Sequence, residues 1–202
     1  MSAVSTPLVT TAPTTASTSS PASPADGMEH GVYYAHYLRD SSTKPAPTYY
    51  KALLEGATRK VIIWDSYFHQ PDTEIFSWLK NPVDVTVLSS KSAMHTRYLQ
   101  DLVDNTRLQL PTALSGRCVF TFGYINTDRY GLDLWRTHDR YLIIDDLDYY
   151  LIGGSIAQHR EAHQSTGIYQ VTEQRDKDVI QDAFDKTFSV CTSDRTFRTE
   201  TI

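Results

Sequence analysis

The sequence is poor in cysteine, in long apolar runs and in positive charge. Only two cysteines, Cys118 and Cys191, occur in 202 residues, so we expect free core thiols rather than a disulfide framework. No segment approaches the roughly 20 apolar residues of a membrane span. The amino terminus lacks the basic start and apolar core of a secretory signal. These absences predict a cytoplasmic chain without a membrane span.

The formal net charge is -5. A strongly basic face is the usual footprint of nonspecific nucleic-acid binding, and its absence weakens that interpretation for the surface as a whole. Four arginines still lie in or beside the stretch 137–155, which carries most of the candidate functional residues, and could make a local cleft positive; they are Arg129, Arg136, Arg140 and Arg160. Except for Arg140, scattered solvated arginines are an equally good interpretation.

Composition divides the chain into a tail and a domain. Residues 1–27 are almost entirely Ser, Thr, Pro and Ala, which cannot bury enough apolar surface to offset the entropy of ordering. We expect this tail to be disordered. Residues 28–202 are long enough for a single substantial core and are expected to form one domain.

Short apolar runs alternate with helical patterns along the domain. Strands are predicted over residues 60–65, 83–88, 119–124, 141–144 and 149–152, with 167–171 continuing the sheet. Helices are predicted over 73–79, 93–108 and 176–188. In the last helix one apolar face is expected to comprise Val179, Ile180, Ala183, Phe184 and Phe188. The alternation predicts an α/β fold with a mixed β-sheet flanked by helices.

The stretch 137–155 contains most of the candidate functional residues; its sequence is THDRYLIIDDLDYYLIGGS. His138 and Arg140 are two residues apart, so on an extended segment both side chains share a face and can reach one anion. The adjacent Gly153 and Gly154 let backbone N–H groups approach a ligand, and the Ser155 hydroxyl adds a donor. This pattern indicates a phosphate-binding site.

Further candidates near this stretch carry alternatives. Arg136 could bind substrate phosphate, and Trp135 could stack on a base or sugar. Asp145 ends a strand, where an acid commonly accepts backbone hydrogen bonds, and Ser155 could simply cap the following segment. His159 and His163 have the spacing of a zinc pair on a helix, but no third ligand is apparent, so no metal site is predicted.

The stretch resembles the H-x-K-x-x-x-x-D…G-S motif of the phospholipase D superfamily, in the H-D-R form of a bacterial phospholipase-D-like branch. His138, Arg140 and Asp145 match the first part, with Arg140 in the place of lysine, and Gly154 and Ser155 match the second part. The resemblance spans about residues 48–190 and implies a phospholipase-D-like sandwich. It also implies phosphodiester hydrolysis without metal or cofactor, with His138, Arg140, Asp145 and Ser155 as the catalytic set.

The resemblance implies a homodimer, because the chain carries one copy of the motif and an active site needs two. One His138 would act as nucleophile and the other as general acid. Ala157 stands where the family has asparagine, and residues 164–169 lack the acid that commonly orients the histidine. Glu161 and Glu173 are the nearest acids.

Two functions therefore follow from the sequence. The first is a metal-independent phosphodiesterase acting as a nuclease through a phosphohistidine intermediate, with nucleic acid as substrate. The second is a catalytically silent binding or scaffold module with protein partners in a mobile-element or phage-related system.

Overall fold

The computed structural model describes residues 46–90, 97–125, 140–154 and 167–202. The predicted tail and the predicted domain start at residue 28 lie outside these ranges. Within them, no helix is long and apolar enough to cross a membrane.

Seven strands of the described chain form one sheet in the order β6-β5-β4-β1-β2-β3-β7. Their bounds are β1 Lys60–Trp64, β2 Asp84–Ser90, β3 Val119–Ile125, β4 Arg140–Ile144, β5 Asp148–Ile152, β6 Ile168–Val171 and β7 Phe197–Thr201. The predicted α/β fold with a mixed sheet is confirmed, and every predicted strand is present within two residues of its expected ends. The edge strand β7 was not predicted, because no apolar run marks it.

Strand direction places several strand ends together. β1, β2 and β3 are parallel, whereas β4 is antiparallel to β1, and β5 and β6 are each antiparallel to the preceding strand. The ends of β1, β2, β3 and β5 therefore share one edge of the sheet with the beginnings of β4 and β6. We call this the carboxyl edge, defined by Trp64 at the end of β1, Arg140 at the start of β4 and Ile152 at the end of β5.

Helices cover the sheet. They are α1 Ala46–Gly56, a 3-10 helix Gln70–Trp78, α2 Tyr98–Gln109, a short 3-10 turn Thr112–Leu114 and α3 Gln174–Asp194. α1 was not predicted. The helix expected over 73–79 is a 3-10 helix, because the hydrogen bonds at its ends join each N–H to the carbonyl three residues earlier. Asp72 N donates to His69 O, and Leu79 N donates to Phe76 O.

α3 is longer than predicted and uses a somewhat different face. Phe184, Thr187 and Cys191 are buried, and Ile180, Ala183 and Phe188 pack partly against the core. Val179 is 62% exposed, so its predicted place on the buried face is wrong. Phe184, Thr187 and Cys191 are spaced three and four residues apart and therefore share one face of the helix, which continues beyond the predicted end at residue 188.

The sheet is buried on both faces, which explains the uninterrupted apolar run of β1. Val61 and Ile63 belong to the core cluster beneath α1, α2 and the longer 3-10 helix. Ile62 and Trp64 point the other way and join the cluster that contains Phe184 of α3. Successive strand residues thus supply two cores.

Both cysteines are buried and free, as predicted. The Cys191 thiol donates to Tyr124 O at 3.3 Å. Burial raises the pKa of Cys191 to about 11, and a hydrogen bond with Thr196 only partly opposes this. The neutral thiol is therefore a packing group rather than a nucleophile at physiological pH.

Candidate anion-binding site

The carboxyl edge brings three separate parts of the chain together around β4. β1 and β5 are the two neighbours of β4 in the sheet. Trp64 pairs with Tyr141 and Ile152 pairs with Arg140. Continuing the first register by one residue sets Asp65 opposite Arg140. In α/β folds ligands commonly bind outside the carboxyl ends of strands, so this edge is where a site is expected.

Arg140 is buried, with 7% of its surface exposed. Its Nε donates to Asp65 Oδ1 at 3.3 Å, and its Nη1 donates to Gly153 O at 3.4 Å. The guanidinium carbon lies 5.1 Å from the centre of the Tyr67 ring, within the range of a cation–π contact. These contacts orient the guanidinium plane from the segment after β1, which supplies Asp65 and Tyr67, and from Gly153 directly after β5.

Asp65 is held by the turn that it begins. It is 1% exposed, and its Oδ1 accepts the Tyr67 N–H at 2.9 Å. Phe68 N donates to Asp65 O at 3.0 Å. A side-chain oxygen that accepts the N–H two residues on is an Asx turn, which fixes the carboxylate relative to its own backbone. The acceptor for Arg140 is therefore positioned by local sequence.

Two hydroxyl groups hold the segment that follows Asp65. The Ser89 hydroxyl at the end of β2 donates to Ser66 O at 3.3 Å, and the Tyr98 hydroxyl donates to Phe68 O at 2.7 Å. Burial raises the pKa of Tyr98 above its usual range, a hydrogen bond with Ser89 opposes this, and the negative charges of Asp72 and Asp65 reinforce it. Tyr98 is thus a neutral donor that ties α2 to the turn after β1.

Gly153 and Gly154 lie at this edge, and the hydrogen bonds of Gly153 differ from those expected. Gly153 N donates to Gly167 O at 2.8 Å, so this N–H extends the pairing of β5 with β6 and does not point at a ligand. The Gly153 carbonyl accepts from Arg140 instead. Gly154 is half-buried next to it.

Asp145 lies at the opposite end of β4, roughly 17 Å of strand away from Arg140. Its carboxylate accepts the N–H of Thr58 at 3.0 Å, of Arg59 at 2.7 Å and of Lys60 at 2.9 Å, and the Thr58 hydroxyl at 2.7 Å. Arg59 Nη2 also donates to the Asp145 carbonyl. Asp145 thereby joins the β4–β5 turn to the start of β1, which is the structural role given above as its alternative.

Hydrogen bonding decides the acidity of Asp145. Partial burial alone would raise its pKa, but the hydrogen bonds from Lys60, Thr58 and Arg59 outweigh burial and lower the pKa below its usual value. Asp145 and Asp146 both have positive φ, 56° and 60°, the backbone form of a tight hairpin turn, which aspartate tolerates.

Several sequence candidates fall outside the described residues. They are His138, Ser155, Arg136 and Trp135, together with the His159 and His163 pair. Their proposed roles stay predictions. Among the residues that the structure describes, no group of three or more His, Cys, Asp or Glu is placed to hold a metal ion.

Asp65 is the residue at this edge that motif reasoning missed. The available signal was an acid directly after a buried strand, in the run WDSYF. Its partner Arg140 is 75 positions away, and only the pairing of β1 with β4 makes them neighbours.

Comparisons with known proteins add little. No family model matches the chain, and no curated protein is significantly similar to it. Among solved structures, TrmBL2, an archaeal chromatin protein with a novel mode of DNA binding, aligns with 84% of this chain at 13% identity and a TM-score of 0.38. The chain spans 55% of that protein's length. A likeness this distant carries no argument about function.

Proposed function

We propose that this chain is one half of a homodimeric, metal-independent phosphodiesterase of phospholipase D type that acts as a nuclease. The observation that supports it most is the buried, triply oriented guanidinium of Arg140 at the carboxyl edge. His138 precedes Arg140 by two residues in the motif. A fixed cation is the group that a phosphodiester transition state needs, because negative charge accumulates on its oxygens.

The chemistry proceeds in two balanced steps. An imidazole nitrogen of His138 attacks phosphorus, the bond from phosphorus to the leaving oxygen breaks, and that oxygen takes a proton from His138 of the second copy. Water then attacks the phosphohistidine and gives its proton to the second imidazole. The P–N bond breaks, so both histidines return to their starting states. Arg140 binds the phosphate oxygens throughout.

A second function is favoured by two specific contacts. Asp65 already compensates the charge of Arg140, and Gly153 N–H is engaged with Gly167. Both reduce the attraction for an anion relative to an uncompensated cation beside two glycine donors. A silent binding or scaffold module on the same fold would retain these contacts for stability alone.

Hydrolysis with a matched set of variants separates the two functions. The full-length chain is incubated with single- and double-stranded DNA, RNA and bis-p-nitrophenyl phosphate, with and without EDTA. The enzyme hypothesis expects cleavage that EDTA leaves intact and that His138→Ala abolishes, because a histidine nucleophile needs no metal.

Control variants show which hypothesis is wrong if the expected cleavage is not seen. The double variant His159→Ala/His163→Ala should keep full activity, whereas loss of activity in it together with inhibition by EDTA would point to metal chemistry at that pair. His138→Ala should still bind nucleic acid with strong salt dependence. No cleavage of any substrate by a folded dimer would leave the binding module as the function.

Assembly is tested independently by light scattering. A dimer at micromolar concentration is expected, because one motif supplies half of the catalytic pair. A monomer under these conditions would remove the case for catalysis.

A further inference from the structure

Asp65 has no place in the motif, yet among the charged groups that the structure describes at the carboxyl edge it is the most buried, at 1% exposed. Its Asx turn holds the carboxylate through a contact that does not involve Arg140, since Tyr67 N–H donates to Oδ1 within the same short segment. The same oxygen accepts Arg140 Nε. A locally fixed acceptor therefore sets the direction of a side chain from a distant strand.

Two further contacts fix the remaining freedom of the guanidinium. The Tyr67 ring lies against it at 5.1 Å, and Gly153 O accepts from Nη1. The contacts to Asp65 and Gly153 involve two of the five N–H donors of a guanidinium. Both rotation about the side chain and tilt of the plane are thus restricted from opposite sides of β4.

Stability alone is a weak reason for such a pair. Removing two charges from water costs several kcal/mol per ion, and apolar residues of similar size in place of a buried ion pair are often neutral or stabilising. Neighbouring positions on this sheet, such as Trp64 and Ile152, show that apolar side chains pack well at these strand ends. The pair also lies at the edge where an α/β sheet binds ligands.

We propose that Asp65 is the positioning residue of the anion site: it holds the Arg140 guanidinium toward the phosphate and limits the net charge of the site. The inference rests on the proposed function. It predicts opposite effects on binding and on turnover when the Asp65 charge is removed. A positioning role requires both effects, and a purely structural role requires neither in the folded protein.

Asp65→Asn is the informative change because the amide keeps the shape and can still accept the Tyr67 N–H. Without the carboxylate, the site loses one negative charge beside Arg140, so inorganic phosphate should bind several-fold more tightly. The bond from Arg140 Nε to this oxygen also loses the assistance of charge, so the guanidinium is held more weakly, and a displacement near 1 Å can lower turnover by up to about 100-fold. We therefore expect kcat on bis-p-nitrophenyl phosphate to fall at least about 10-fold while KM does not rise.

The control is Asp146→Asn, which makes the same charge change on the turn at the opposite edge. It should leave kcat, KM and phosphate affinity at the wild-type values. Thermal denaturation of each full-length variant verifies that the assays use folded protein. Phosphate affinity is measured by isothermal titration calorimetry with inorganic phosphate.

If Asp65→Asn does not fold, Asp65→Glu replaces it. Glutamate keeps the ion pair but moves the carboxylate by one methylene, so kcat should fall while phosphate affinity stays unchanged. Wild-type kcat in the folded variant would overturn the proposal.

The two hypotheses fail in distinguishable ways. A wild-type chain that binds phosphate but cleaves nothing removes the enzyme, and tighter phosphate binding by Asp65→Asn would still support the charge-limiting role. An active wild type with unchanged kcat and phosphate affinity in folded Asp65→Asn would overturn the role of Asp65 alone. No phosphate binding by the wild type at millimolar concentration would overturn both the site and the role.

Discussion

Replacing Asp145 by asparagine is expected to lower the free energy of unfolding by about 2 kcal/mol. The carboxylate accepts five hydrogen bonds from Thr58, Arg59 and Lys60, between 2.7 and 3.2 Å, because the Thr58 N–H is shared between both carboxylate oxygens. An amide oxygen can keep the bonds from Arg59 and Lys60 and the longer bond from the Thr58 N–H. The amide nitrogen would face that N–H at its shorter contact, a donor against a donor. The shorter Thr58 bond is therefore lost, and the bonds from Arg59 and Lys60 lose the assistance of charge.

The magnitude follows from these three changes. Hydrogen bonds to a charged group contribute about 1.5–3 kcal/mol and neutral ones about 0.5–1.5 kcal/mol, so the gross loss is about 3.5–6 kcal/mol. The bonds to Thr58 and Arg59 are solvent-exposed, and water can replace part of what is lost. This discount leads to the value of about 2 kcal/mol, or about 4–8 °C in Tm for a domain of this size.

Asp146→Asn is the matched control. Asp146 is the next residue, has the same positive φ, and pairs with Lys60 Nζ at 2.9 Å while both side chains are about 40% exposed. Asparagine adopts this backbone form readily, and an exposed ion pair contributes about 0.2–1 kcal/mol. Urea denaturation should therefore show a loss below about 0.5 kcal/mol.

The pH dependence gives an independent measure of the same contacts. The pKa of Asp145 is lowered in the folded protein from its usual 3.8, so its contribution is complete above that value. It is lost as the pH falls through the folded pKa. The stability difference between wild type and Asp145→Asn should be constant near neutral pH and shrink below about pH 4. Equal stability of the two asparagine variants, or a difference independent of pH, would refute this account of Asp145.

Three further outcomes are expected. Arg140→Ala should lower the free energy of unfolding by about 3–5 kcal/mol in urea denaturation, because Asp65 remains buried without this cation. The double variant Arg140→Met/Asp65→Leu should recover most of this loss. A loss below about 1 kcal/mol in Arg140→Ala would contradict a desolvated ion pair. Gly123→Ala should cost about 1–3 kcal/mol, since the new Cβ would lie 3.1 Å from a Phe188 ring carbon and 3.5 Å from Cys191 Sγ, and an unchanged Tm would show that α3 moves aside freely. Cys191, buried with its pKa raised to about 11, should react with iodoacetamide at pH 8 only at the rate of unfolding, and rapid native labelling would argue against its burial.

Local pattern was sufficient for six of the seven strands that the structure describes. The apolar runs at residues 60–64 and 141–144 have strand character whatever surrounds them, because both faces must be covered and no polar residue interrupts them. Pattern failed at β7, where exposed and half-buried residues alternate without an apolar face. An edge strand of this kind is recognised only by its partner β3.

The sequence by itself determined the α/β class, every described strand except β7, and the free cysteines, because alternation and composition act over a few neighbouring residues. Tertiary structure decided what the polar residues do. The Asp145 carboxylate accepts hydrogen bonds from the start of β1 because β4 ends beside Lys60. Asp65 became the partner of Arg140 because strand register set them opposite each other across 75 positions. A carboxylate has no preferred periodicity, so its partner is chosen by which backbone donors and cations the fold brings within hydrogen-bond distance.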